Sequence, residues 1–160
     1  MNLQALARQL MVLSPTERAA QMSAVMVGLD ALLGLRLVSV DFERVVAELV
    51  VTEHHTQPYG LVHGGVYAAI GESVCSIGAA IAVLSEGRSV VGVENTTRFH
   101  RGARPGVTLR ATARPVSERV WEAIISDGER RCATSRVTVA VLEPGRRIAG
   151  RDVTLEIKSE

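Results

Sequence analysis

Residues 66–84 are almost wholly apolar or small, and Glu72 is their only charge. A helix that is apolar all round must be buried in a protein core or cross a bilayer, and about 20 such residues would span one. Glu72, Ser73, Ser76 and the glycines in and beside the run argue against a membrane, since a carboxylate at bilayer depth is costly. The expectation is therefore a soluble core helix, with no membrane partner, enclosed by the rest of the chain. A carboxylate buried in such a helix is expensive, and that expense usually marks a function.

The rest of the chain supplies the enclosure. Residues 35–41 and 44–52 have the β-branched, partly alternating look of two strands joined by a tight turn. After the long helix, expected over residues 63–84, four strand-like stretches follow at 89–99, 107–115, 120–126 and 131–142, with Asp127-Gly128 as a turn signal. Their alternation suits an antiparallel sheet with one wet face. The fold class is α+β: a curved antiparallel sheet of five to six strands around one long helix.

Ahead of this, Leu3, Leu6, Ala7, Leu10 and Met11 read as a short amphipathic helix. Ser14-Pro15-Thr16-Glu17 reads as a fresh helix start with a capping box. Met22, Val25, Met26 and Leu29 are the expected buried stripe of that second helix, with Gly34 as its exit. His54 and His55 are expected to be exposed loop residues. The tail from Glu143 is polar, with weak strand character over residues 153–157.

Composition excludes several functions. The net charge is +1, so no bulk attraction to nucleic acid is implied. Five aromatics, Phe42, Tyr59, Tyr67, Phe99 and Trp121, form no base-stacking array. Cys75 and Cys132 lack metal or redox spacing and read as reduced thiols of a cytoplasmic protein. The His, Asp and Glu residues have no ligand spacing, so neither a metal nor a cofactor is expected.

The candidate site follows from helical geometry. Glu72 and Ser76 are four apart and share a face. Gly64 and Gly65 fall in the first turn, where N–H groups lack intrahelical partners and suit a developing oxyanion. Eight residues separate Gly64 from Glu72, roughly 12 Å at 1.5 Å per residue. One helix can scarcely bring both to one reacting acyl group. Two copies packed antiparallel about a two-fold axis can, so the expectation is a homodimer with shared sites.

The pattern Gln57…Gly60-Leu61-Val62-His63-Gly64-Gly65…Glu72…Ser76 resembles the hotdog-fold acyl-CoA thioesterases. The branch is that of the 4-hydroxybenzoyl-CoA thioesterase of the Arthrobacter type, the phenylacetate-pathway thioesterases and the 1,4-dihydroxy-2-naphthoyl-CoA thioesterase. Val90-Val91-Gly92-Val93-Glu94 and Arg101-Gly102-Ala103-Arg104-Pro105-Gly106 share in the resemblance. It covers residues 32–142, leaving residues 1–31 as a helical extension and 143–160 as a tail. It implies an acyl-CoA substrate and a dimer or dimer of dimers, with no cofactor. Glu72 would be nucleophile or general base. The Gly64 N–H would hold the thioester oxygen, Gln57 and His63 would orient it, and Ser76 would bind Glu72 or the water. Gly65, Phe99, Arg101 and Arg104 would lie along coenzyme A. The family often has Ser where this chain has Gly102, and one relative has His in place of Phe99. A hotdog dehydratase or hydratase, a non-catalytic acyl-CoA-binding module and a structural oligomer with a vestigial site are the rival readings.

Overall fold

The computed structural model describes residues 3–148 and 150–152. Three helices come first: α1 (Leu3–Met11), α2 (Pro15–Ala24) and α3 (Gly28–Leu33). The capping box at the start of α2 forms as expected, with the Glu17 N–H donating to Ser14 Oγ and the Ser14 N–H donating to the Glu17 carboxylate at 2.8 Å.

The expected stripe of α2 does not form. That helix ends at Ala24, and Gly28, at φ +65°, starts a separate helix that closes at Gly34. A left-handed residue interrupts the 3.6 period, so positions on either side no longer share a face. Val25 and Leu29 are exposed, and Met22 and Met26 are only half-buried. The buried residues of α2 are Ala19 and, unexpectedly, Arg18. The Arg18 guanidinium donates to the carbonyls of Leu10 (3.0 Å), Leu13 (3.0 Å) and Val40 (2.6 Å), and it stacks on Phe42. A buried cation with each of its three nitrogens hydrogen-bonded is tolerable, and this one ties the first two helices to the sheet.

The sheet has six strands: β1 (Arg36–Asp41), β2 (Arg44–Val50), β3 (Ser89–Phe99), β4 (Thr108–Ser117), β5 (Val120–Asp127) and β6 (Arg130–Leu142). All pairings are antiparallel and the spatial order is β1-β2-β4-β5-β6-β3. Gly128, at φ +59°, makes the tight β5–β6 turn. On the inner face stand Leu109, Ala111 and Ala113 of β4, Trp121, Ala123 and Ile125 of β5, and Ala133, Val137 and Val139 of β6, all buried. The long helix α4 (Gly64–Leu84) lies across that face and packs on β2 through β6. It is long and apolar enough to cross a bilayer, but the fold spends it as the core. Beyond β6, β7 (Arg147–Ile148) and β8 (Arg151–Asp152) form a short ladder. The strand character expected over 153–157 lies outside the described residues.

Three glycines seven apart let α4 press close. A Cβ on Gly64 would stand 2.9 Å from the Phe99 ring, one on Gly71 2.1 Å from Ser135 Oγ, and one on Gly78 2.3 Å from the Trp121 ring. β3 is an edge strand with a bulge. Gly92 pairs with Val139 and Glu94 with Thr138, which leaves Val93 as the extra residue.

Candidate active site

Glu72 is half-buried on α4, with each carboxylate oxygen accepting one hydrogen bond. Ser76 Oγ donates to Oε1 at 3.2 Å, the contact expected from their spacing. Asn95 Nδ2, from β3, donates to Oε2 at 2.9 Å. Lone pairs remain on both oxygens for a substrate or a water. Gly92 opens the space beside Oε1, because a Cβ there would lie 2.2 Å from it.

The helix start forms a second cluster. His63 is the N-cap, and its Nδ1 accepts the Gly65 N–H at 2.9 Å. With Nδ1 an acceptor, the neutral ring carries its proton on Nε2, which is left as a donor. The Gly65 N–H is thereby spent on the cap, and the Gly64 N–H has no acceptor among the described residues. A cleft of about 370 Å³ opens here, lined by Gln57, Gly64, Phe99 and Arg101 among the expected residues, and also by Tyr67 and His100. The Gln57 backbone is fixed by bonds to Leu61 and Gly60, while its side chain has no partner among the described residues. Arg101 and Arg104 are both exposed, and the Arg104 guanidinium lies against Gly60. A second hollow, of about 520 Å³, lies between α1 and the far end of α4 and is remote from this chemistry.

His55 departs from expectation. It is 6% exposed, in a short 3-10 turn (Glu53–His55), and all its polar groups are engaged. Its Nδ1 accepts the Thr52 N–H (2.9 Å), its Nε2–H donates to the Leu33 carbonyl (3.1 Å), and its own carbonyl accepts the His63 N–H (2.8 Å). It therefore holds the His63 loop against the end of α3. Nothing local in the sequence separates it from His54, which is exposed.

Asn95 and Tyr67 are the site residues that the sequence reading passed over. Tyr67 is buried beside Phe99, ring centroids 6.2 Å apart, and burial pushes its phenol up to about 12. Its position three residues after Gly64 was the available signal. Cys75 is fully buried, and burial, followed by the charges of Glu72 and Glu122, pushes its thiol up to about 12. That keeps it protonated, as a packing residue rather than a nucleophile. Among the described residues no group of His, Cys, Asp and Glu could hold a metal.

Within one chain the two clusters stay apart. α4 runs against β3 so that Gly64 meets Phe99 while Glu72 meets Gly92 and Asn95. The helix start and the carboxylate thus lie about two turns apart along one helix–strand pair, and Glu72 does not line the cleft.

Residues 59–119 match the thioesterase superfamily. Over 119 residues the chain is 36% identical to the 1,4-dihydroxy-2-naphthoyl-CoA hydrolase of Listeria monocytogenes, spanning 71% of this chain and 95% of that one. It is 38% identical over 101 residues to the proofreading thioesterase EntH of Klebsiella pneumoniae, spanning 60% and 72% respectively. Among solved structures, a thioesterase of Haemophilus influenzae superposes with a TM-score of 0.70 at 27% identity, covering 80% of this chain and 90% of that one. The helix wrapped by a curved six-stranded sheet is the hotdog fold.

Proposed function

Because this chain belongs to the thioesterase superfamily and is a thioester hydrolase, we propose that it cleaves an acyl-CoA at a site shared between two copies. Water adds across the C–S bond: its oxygen joins the acyl carbon, its proton ends on sulfur, and a free acid and coenzyme A leave. Glu72 either takes the proton from the attacking water or attacks first, forming an anhydride that water then opens. The free Gly64 N–H and the positive end of α4 receive the oxyanion. Gln57 and His63 Nε2–H orient the thioester carbonyl. Arg101 and Arg104 meet the phosphates of coenzyme A, with Phe99 and Gly65 along the same path.

The observation that carries this reading is the separation of the two clusters along β3. Among the described residues the outer edge of β3 pairs with no strand. An antiparallel β3–β3 pair centred on Thr96 sets Phe99 of one copy opposite Gly92 of the other, because Val93 drops out of the count at the bulge. The α4 start behind Phe99 then faces the second copy's Glu72. The buried, unpaired thiols of Cys75 and Cys132 are compatible with a reducing compartment, and we assign the enzyme to the cytoplasm.

The test is thiol release from benzoyl-, phenylacetyl-, 1,4-dihydroxy-2-naphthoyl- and hexanoyl-CoA, with wild type beside Glu72→Ala. An aroyl ester is placed first because of the Listeria relative's name. Glu72→Ala is expected to lose at least about 10²-fold in kcat. Undiminished hydrolysis would reject Glu72 as the catalytic acid and put the chemistry on another group. Mixing inactive Glu72→Ala with inactive Gln57→Ala restores turnover if the site is shared. A fully active monomer contradicts the sharing.

A further inference from the structure

We propose that Asn95 is a positioning residue for the Glu72 carboxylate, held in its working orientation by a one-way chain of donors from Ser135 through Thr97. The proposal rests on the reading of Glu72 given above.

The amide of Asn95 has one sensible orientation. Its Nδ2 lies 2.9 Å from Glu72 Oε2 and 3.1 Å from the Ala68 carbonyl, while its Oδ1 accepts from Thr97 Oγ1 at 2.8 Å. Flipped, its oxygen would face two acceptors and lose both bonds. Thr97 has a single hydroxyl proton, and Asn95 takes it. The 2.8 Å contact between Thr97 and Ser135 hydroxyls must then have Ser135 as donor. The protons therefore run Ser135 to Thr97, Thr97 to Asn95, and Asn95 to Glu72.

Two features show that this chain is built into the fold. Ser135 is fully buried on β6, in a row otherwise made of Ala133, Val137 and Val139. An alanine there would pack without a polar group to satisfy. The hydroxyl instead occupies room that Gly71 leaves by having no side chain. The bulge is the second feature. In a regular strand, residues 92 and 95 would face opposite sides of the sheet. The extra residue, Val93, brings both onto the α4 side. Gly92 clears Oε1, and Asn95 binds Oε2. The bulge closes a clamp on the carboxylate from the strand, and Ser76 completes it from the helix.

The plainer possibility is that Asn95 only staples β3 to α4 through the Ala68 carbonyl. Kinetics separate the two. The probe is the best-hydrolysed ester among benzoyl-, phenylacetyl- and hexanoyl-CoA, with Glu72→Ala as reference and oligomeric state and circular dichroism checked for every variant. Asn95→Ala is expected to lower kcat about 10-fold or more with KM within about 3-fold, as loss of a hydrogen bond to a charged group predicts. Thr97→Val, which keeps the shape and removes the proton, is expected to lose several-fold in kcat. Thr97→Ser should recover most of that loss. Should Asn95→Ala misfold, the Thr97 pair carries the test alone.

Wild-type kcat in both Asn95→Ala and Thr97→Val, with Glu72→Ala inactive, overturns the positioning role and leaves the function standing. A change confined to KM, or Thr97→Ser no better than Thr97→Val, overturns it too. Full activity of Glu72→Ala removes both proposals.

Discussion

At Gly78, α4 lies on the indole of Trp121; two turns earlier, at Gly71, it lies on the hydroxyl of Ser135. Both contacts are close enough that a methyl group would collide. Their surroundings differ. Trp121 stands opposite Val137 in the ladder, and both are buried. Around Ser135 lies a polar seam that ends at a half-buried carboxylate. The first contact serves folding. The second is a place where apolar side chains would hold the helix as well, and where polar groups make sense only if they orient something. One helix thus divides the work by position along its length.

If that division is real, variants at the two contacts should fail in different assays. The largest effect is expected from Trp121→Ala, about 3–5 kcal/mol of stability, read as a melting temperature lower by roughly 10 °C or more, with little change in kcat for the folded fraction. Glu72→Gln should do the reverse: at least 10²-fold off kcat, about 2.7 kcal/mol, with a melting curve close to wild type. Gly78→Ala forces a methyl group into the indole and should cost about 1–3 kcal/mol by chemical denaturation, again sparing turnover. Gly92→Ala pushes on Oε1 of Glu72 and should reduce kcat about 10-fold while leaving the denaturation midpoint nearly unmoved. The last expectation is a null. With its thiol pushed up to about 12, Cys75 should resist an aromatic disulfide reagent at pH 8 until the protein is unfolded. Activity losses at Gly78, or stability losses at Gly92 as large as those at Trp121, would erase the distinction.

Much of this was legible in the sequence because it is local. The apolar run announced α4, the Gly64-Gly65 pair its start, and the four-residue step from Glu72 to Ser76 their contact. Strand limits shifted by at most two residues. What was not legible depends on contacts between distant segments. Asn95 reaches Glu72 only because Val93 is extruded from the ladder, and a period-two reading turns Asn95 and Gly92 to opposite faces. His55 is buried by the carbonyl of Leu33, 22 residues before it, which leaves no local pattern. The stripe through Met22, Val25, Met26 and Leu29 assumed one continuous helix, and the left-handed Gly28 breaks that assumption.

The imidazole of His55 has a practical consequence for anyone cutting the chain down to the long helix and its sheet. The acceptor of its Nε2–H is the carbonyl of Leu33, the last residue of α3, so a truncation that removes all three leading helices removes it. Excising the leading helices would strand that donor in a buried spot, a penalty of about 1–3 kcal/mol. The slack would reach the cap of α4 through the single peptide carbonyl that His55 lends to His63. The leading helices are wired to the loop that starts α4, and a minimal fragment should be loosest at the candidate site.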